Sequence, residues 1–260
     1  MRIAVRLVIV LLYAFLLAPI GIVGLTSFSN DAYLAFPPAH WGLGGYAALL
    51  RNSEFRGGLE VSVLLGAAVT LLTLALGTAA AFAIARFRFP GGGALLAFFT
   101  APLLLPTIVL GLALLLVFAR IGLLASFTGL TIGHAVVAIP YVIRLMLTAL
   151  NGLPPNLEEA AATLGATPSR IFWRVTLPLM RPALLAAAAL AFLASFDEVT
   201  ITLFLVGPRL TTLPVEVFRY VQNHADPQVS ALSVVLIVLT VGVIVLIERS
   251  LGLMRSVSRS

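Results

Sequence analysis

Six apolar stretches divide the chain, each close to the length of about 20 residues that a helix needs to cross the hydrocarbon core of a membrane. They run from about Leu7 to Phe28, Leu59 to Ala85, Ala94 to Phe118, Phe127 to Leu150, Pro182 to Val206 and Val229 to Ile247. The pattern predicts an all-α integral membrane protein with six transmembrane helices in a single domain, residues 1–260. The first stretch is too long for the apolar core of a secretion signal, and no small-residue cleavage site follows it, so it reads as an uncleaved span.

Composition agrees with lipid as the solvent. Hydrophobic residues make up 61% of the chain and charged residues 10%, against about half and about a quarter in soluble proteins. All basic residues are arginine; lysine and cysteine are absent. A Walker A phosphate loop needs its lysine, so this chain cannot be its own ATPase. Thiol and Schiff-base chemistry are excluded for the same kind of reason. The net charge of +6 follows from the positive-inside bias of membrane proteins and calls for no nucleic acid.

Arginine placement sets the expected orientation. With both termini in the cytoplasm, the inside holds Arg2, Arg6, Arg86, Arg88, Arg170, Arg174, Arg181, Arg249, Arg255 and Arg259. The outside holds Arg51, Arg56, Arg120, Arg209 and Arg219, half as many, and Arg144 lies within the fourth span. Two sizeable segments then lie outside: Ser29–Gly58, rich in Pro, Gly and aromatics, and Gly207–Gln228. Residues 151–181 form the longest inside loop. Small residues recur along one face of the second span at Gly66, Thr70, Thr73, Gly77 and Ala80, which lets helix backbones approach closely. Pro102, Pro106 and Pro140 remove backbone donors at membrane depth, where broken backbone is tolerated beside protein or a water-filled path.

The inside loop is not a passive linker. Pro154-Pro155 stops the fourth helix, and Asn156 with Glu159 predicts a capping box for a new one. Glu158 and Glu159 suit its positive end, and Ala160, Ala161 and Ala162 favour helix. Gly165 fits the left-handed position that ends a helix. Thr167 and Pro168 cap and open the next, which carries Ile171, Phe172 and Val175 and is expected to stop near Pro178. Two short helices with a bend fit either an interfacial connector or a docking element for a cytoplasmic partner.

A resemblance separates these readings. Glu159-Ala160-Ala161, three residues, Gly165, nine residues, then Val175-Thr176-Leu177-Pro178 resembles the EAA motif of ABC-importer permeases, with Val175 in place of the usual isoleucine. The resemblance implies that Glu159, Ala160, Ala161, Gly165, Val175, Leu177 and Pro178 belong to a coupling element seated in a groove of an ATPase subunit. It implies two ATPase subunits, which bind ATP and Mg, a second homologous permease and an external solute-binding protein. It also implies a bacterial inner membrane. This chain is then a transport subunit that binds no cofactor itself.

Further residues resemble the spermidine/putrescine branch: Ser195-Phe196-Asp197-Glu198-Val199, Gly207-Pro208, Leu213-Pro214, Gly133-His134, Ile139-Pro140-Tyr141-Val142 and Phe87-Arg88-Phe89-Pro90-Gly91. Branches for opines, aminoethylphosphonate and ferric iron share much of this pattern. The resemblance covers almost the whole chain and implies a small cationic solute moved by alternating access.

Asp197 and Glu198 fall inside the expected fifth span, about 24 Å along a helix from Arg181. Charges at that depth are costly unless paired or hydrated, which makes them pathway candidates. Adjacent carboxylates point about 100° apart on a helix, so one can face a pathway while the other pairs with an arginine or caps an interrupted helix. His134 is a further pathway candidate, or a helix-to-helix hydrogen-bonding group. His40 and His224 lack partners at ligand spacing, and no metal site is expected. Two other classes remain to be weighed. An ion-coupled transporter predicts inverted repeats, and none is visible. An intramembrane enzyme needs a base and an orienter for Ser195, and the sequence specifies neither.

Overall fold

The computed structural model describes residues 2–87, 90–208, 210–224 and 226–251. Its elements there are α1 (Arg2–Thr26), α2 (Gly44–Arg51), α3 (Ser53–Arg86), α4 (Gly92–Thr100), α5 (Thr107–Ile121), α6 (Phe127–Gly152), α7 (Pro155–Thr163), α8 (Pro168–Ile171), α9 (Leu177–Leu179), α10 (Arg181–Phe196), α11 (Thr200–Leu205), α12 (Leu213–Asn223) and α13 (Pro227–Leu251). A 3-10 turn, Ala101–Leu104, follows α4, and a π turn, Phe172–Thr176, joins α8 to α9. Arg88, Phe89, Arg209, Arg255 and Arg259, all used in the sequence reading, lie outside the described residues.

Among the described residues, three helices are long and apolar enough to cross a membrane alone: Val5–Thr26 of α1, then α3 and α6. Two bent pairs raise the count to five if each is one span. The expected sixth span falls in α13, with Pro227–Gly242 as its apolar stretch.

Two expected spans are not single helices. The third, 94–118, turns by 106° between the 3-10 turn and α5. Pro106 has no N–H to continue a helix, and the ring forces Leu105 into an extended conformation at φ −92°, ψ 139°. The fifth, 182–206, stops at Phe196 and restarts as α11 at Thr200. The carboxylates expected within a continuous helix therefore lie in its interruption.

The centre of the fold is α3, α6 and α10 packed on one another, with α11 and α5 beside them. Leu65, Val69 and Ala81 of α3 meet Leu130, Ala138, Val142 and Met146 of α6 and Ala187 and Ala191 of α10. Because lipid tails are as apolar as these side chains, close packing rather than the hydrophobic effect holds such helices together. The small-residue face of α3 supplies that closeness. A Cβ on Gly77 would lie 2.7 Å from Val142 Cγ1, and one on Gly66 would lie 2.8 Å from the Phe192 ring. Thr70 and Thr73 turn their hydroxyls back to the carbonyls of Gly66 and Val69.

Side chains from Val5 to Ile22 of α1 are all exposed, a surface suited to lipid. Its far end is tied to α13, where Thr26 Oγ1 donates to Ser230 Oγ at 2.9 Å. Beyond α1, Asp31 organises the next segment. Its carboxylate accepts from the backbone N–H groups of Ala39 and His40 at 2.9 and 3.1 Å, and from His40 Nδ1 at 2.8 Å. The His40 hydrogen bond, followed by that of Ala39, holds the Asp31 carboxyl below its usual range.

Candidate functional site

The loop after α6 folds into two arms. Pro155 occupies the first helical position of α7, where its missing N–H costs nothing. The helix therefore starts one residue before the expected cap. Pro154 flanks it without a side-chain cap, and Asn156 lies in the first turn, so the expected capping box does not form.

Gly165 ends this arm as expected from the sequence, at φ +81°. Its N–H donates to the Ala162 carbonyl at 2.9 Å, and the Ala166 N–H donates to the Ala161 carbonyl at 3.1 Å. This pair of bonds is a Schellman turn. An added Cβ would meet nothing within 4 Å, so glycine is demanded by backbone conformation and not by space. The second arm opens at Thr167, whose side chain accepts from the Arg170 N–H at 3.4 Å, with Pro168 in the first helical position.

The second arm stops near Pro178 as expected, one residue beyond it at Leu179. The backbone widens into the π turn, the Leu177 N–H reaches the Phe172 carbonyl five residues back, and the chain continues helically to Leu179. An i to i−5 register ahead of a proline accommodates its missing N–H without a break. The 71° bend comes later, at Met180, before α10.

The motif residues divide by direction. Glu159, Ala160 and Gly165 are exposed, as is Leu164 at 89%. Ala161, Val175, Leu177 and Pro178 are half-buried against the rest of the chain. One set holds the element in place and the other is presented outward.

What holds it was not foreseen from sequence. Arg86, the last residue of α3, places Nε 2.9 Å from Glu158 Oε2 and Nη2 3.1 Å from Glu158 Oε1. The same Nη2 donates to the Leu150 carbonyl near the end of α6 at 3.2 Å. Thr176 Oγ1 of the second arm donates to Glu158 Oε1 at 2.8 Å. The available signal was an arginine ending one span opposite an acidic pair in the next inside loop. A cleft of about 520 Å³ lies beside this cluster, walled by Phe82, Phe87, Ile171 and Phe172.

The second candidate region is the interruption between α10 and α11. Glu198 Oε1 accepts from the Ile201 N–H at 2.9 Å, which occupies a donor at the start of α11. Asp197 is exposed. Among the described residues its carboxylate has no hydrogen-bond or ion-pair partner. The two acids thus have different surroundings, one spent on the backbone and one open.

His134 is 1% exposed. Its Nδ1 lies 2.9 Å from Ser195 Oγ of α10, and its Nε2 lies 2.9 Å from Thr202 Oγ1 of α11. The Thr202 hydroxyl donates to the Glu198 carbonyl at 2.6 Å. Its proton is therefore committed, so Nε2–H donates to Thr202 and Nδ1 accepts from Ser195. This is a brace across the interruption, and it matches the reading of His134 as a helix-to-helix hydrogen-bonding group. Ser195, the possible nucleophile, is buried in the same brace at 4% exposed.

Comparison with known proteins adds three kinds of similarity. The family of binding-protein-dependent transport system inner membrane components matches residues 73–252. The putrescine transport system permease protein PotI of Escherichia coli K12 is 37% identical over 240 residues, 89% of this chain and 85% of that one. The spermidine/putrescine transport system permease protein PotC of Haemophilus influenzae is 32% identical over 235 residues, 90% and 91%. The molybdenum transport system permease protein ModB of Mycobacterium bovis is 35% identical over 207 residues, 74% and 78%. In fold, the chain is similar to a crystal structure of a bacterial ABC transporter involved in the import of the acidic polysaccharide alginate. The TM-score is 0.76 at 21% identity, covering 95% of this chain and 96% of that one.

Proposed function

The chain belongs to the inner membrane components of binding-protein-dependent transport systems, and we propose that it forms one half of the membrane pathway of a polyamine importer. It is a membrane-embedded transport subunit and not an enzyme; an ATPase and a solute-binding protein work with it. In the finer reading, two ATPase subunits bind ATP and Mg on the cytoplasmic side. A second, homologous permease completes the pathway, and the binding protein delivers solute from outside the bacterial inner membrane. Both termini then lie in the cytoplasm, by the arginine bias.

The observation that carries this reading is the two-armed loop. It presents Glu159, Ala160 and Leu164 outward from a turn closed by Gly165 in the left-handed conformation, while Val175, Leu177 and Pro178 anchor it. A partner that closes on ATP can push such an element and shift the permease halves between inward- and outward-facing states. For the substrate, the likeness to PotI and PotC is joined by Asp197, an open carboxylate at an interrupted span. A charge there suits an ammonium group and opposes an oxyanion.

The test is reconstitution. The chain, expressed with its neighbouring subunits, is expected to co-purify with an ATPase and to drive ATP-dependent uptake of labelled putrescine into vesicles. Uptake of molybdate in its place would overturn the polyamine reading. Failure to recover any ATPase with a folded protein would overturn the importer reading.

A further inference from the structure

Arg86 joins more of the molecule than any span-terminal arginine needs to for orientation alone. Its guanidinium donates from Nη2 to Glu158 Oε1, and Nε lies 2.9 Å from Oε2 as an ion-pair contact without an aligned hydrogen bond. Through Nη2 it also reaches the Leu150 carbonyl. Glu158 in turn accepts from Thr176 in the second arm. One ion pair therefore ties the end of α3, the end of α6, the first arm and the second arm. Both side chains are largely enclosed, at 24% and 22% exposed, and the neighbouring cleft is walled mainly by aromatic and aliphatic groups. Partial exclusion of water strengthens the pair beyond a surface salt bridge.

The geometry also separates two neighbouring acids. Glu159 is exposed on the outward side of α7, whereas Glu158 is turned toward Arg86. An element that is pushed from outside needs a stiff connection to whatever it moves, and loosely packed loops do not provide one. From these observations we propose that Arg86 and Glu158 form a rigid joint, so that α7 moves as one body with the ends of α3 and α6. The proposal rests on the importer reading, in which the loop is driven by an ATPase. Arg86 and Glu158 are positioning residues: they touch neither solute nor nucleotide, and they set how much loop motion reaches the spans.

The test uses the whole importer, purified with its own ATPase and binding protein and placed in lipid vesicles. The ratio of ATP hydrolysed to putrescine imported is measured first for the unaltered complex, and that value tests the importer reading by itself. Glu158→Gln and Arg86→Gln are each expected to raise the ratio by at least about fivefold, the lower range of a coupling effect, without loss of assembled complex. The double exchange, Arg86→Glu with Glu158→Arg, is expected to restore most of the coupling. Single variants that keep the unaltered ratio would overturn the joint.

A second measurement needs no disruptive change at the pair. The chain has no cysteine, so Phe87→Cys and Asn156→Cys create two unique sites for spin labels. Their separation is expected to agree within about 2 Å between nucleotide-free and ATP-trapped complexes. A shift of about 5 Å, one helical turn of sliding, would show the arm moving independently and overturn the proposal.

Discussion

His134 Nε2 lies 2.9 Å from Thr202 Oγ1, on the far side of an interruption that the chain makes at Asp197-Glu198-Val199. With Nδ1 on Ser195, the imidazole links side-chain hydroxyls on the two helical pieces that flank the interruption. His134→Leu removes both bonds and leaves the Ser195 hydroxyl without its acceptor. The expected cost is about 1–2 kcal/mol, given the modest value of hydrogen bonds between membrane helices. It should appear as a lower unfolding temperature in detergent, with the affinity for putrescine unchanged in the protein that remains folded.

The two adjacent acids should separate by assay. Asp197→Asn touches no hydrogen bond among the described residues, so stability should stay within about 0.5 kcal/mol. Loss of a charged contact worth about 1.5 kcal/mol should reduce the apparent affinity for putrescine about tenfold in vesicle uptake. Glu198→Ala should behave oppositely, losing about 0.5–2 kcal/mol of stability with the cap on Ile201. Equal effects of both changes on uptake and stability would contradict this division.

At Gly165, an alanine meets no neighbour but must hold φ +81°. The strain is about 1–2 kcal/mol and falls on the turn between the two arms. Gly165→Ala should leave membrane abundance near normal and lower transport per ATP hydrolysed. Asparagine tolerates the left-handed region better, so Gly165→Asn should retain more coupling than alanine. The reverse order would argue for a role of the glycine other than its conformation.

Asp31 provides a pH dependence. Its carboxyl in the folded protein titrates below the ordinary value of 3.8. A depressed acid stabilises where it is ionised, so its contribution is fully present above 3.8 and is lost as pH falls through the lower folded value. Amide hydrogen exchange at Ala39 and His40, corrected for intrinsic rates, should therefore be insensitive to pH from neutrality to mild acid. Protection should fall only in stronger acid, and Asp31→Asn should lose part of it throughout.

Much of this molecule is legible along the chain because lipid imposes a simple rule. Backbone polar groups must be satisfied internally, so long apolar runs become helices, and Phe127–Gly152 appears almost where its run predicts. Gly165 and the Thr167-Pro168 start are equally local, since one residue's conformational freedom or one side-chain oxygen decides them. The exceptions are informative. The missing donor at Pro106 predicts broken backbone, but not that the chain turns by 106° there. Near Pro178 the second arm ends as expected, at Leu179, but through a π turn that no local pattern signals.

The sequence by itself determined the membrane class, the location of the two-armed loop and the absence of a lysine with which to build a phosphate loop, because each depends on composition or on residues close in the chain. Tertiary structure alone decided the partners of the ionisable groups. Arg86 and Glu158 are 72 positions apart and His134 and Thr202 are 68, and no periodicity connects them. Nor does any local signal state which of Asp197 and Glu198 will cap a helix and which will stay open. That depends on where the fifth span breaks, and hydrogen bonds from α6 brace that break across three helices.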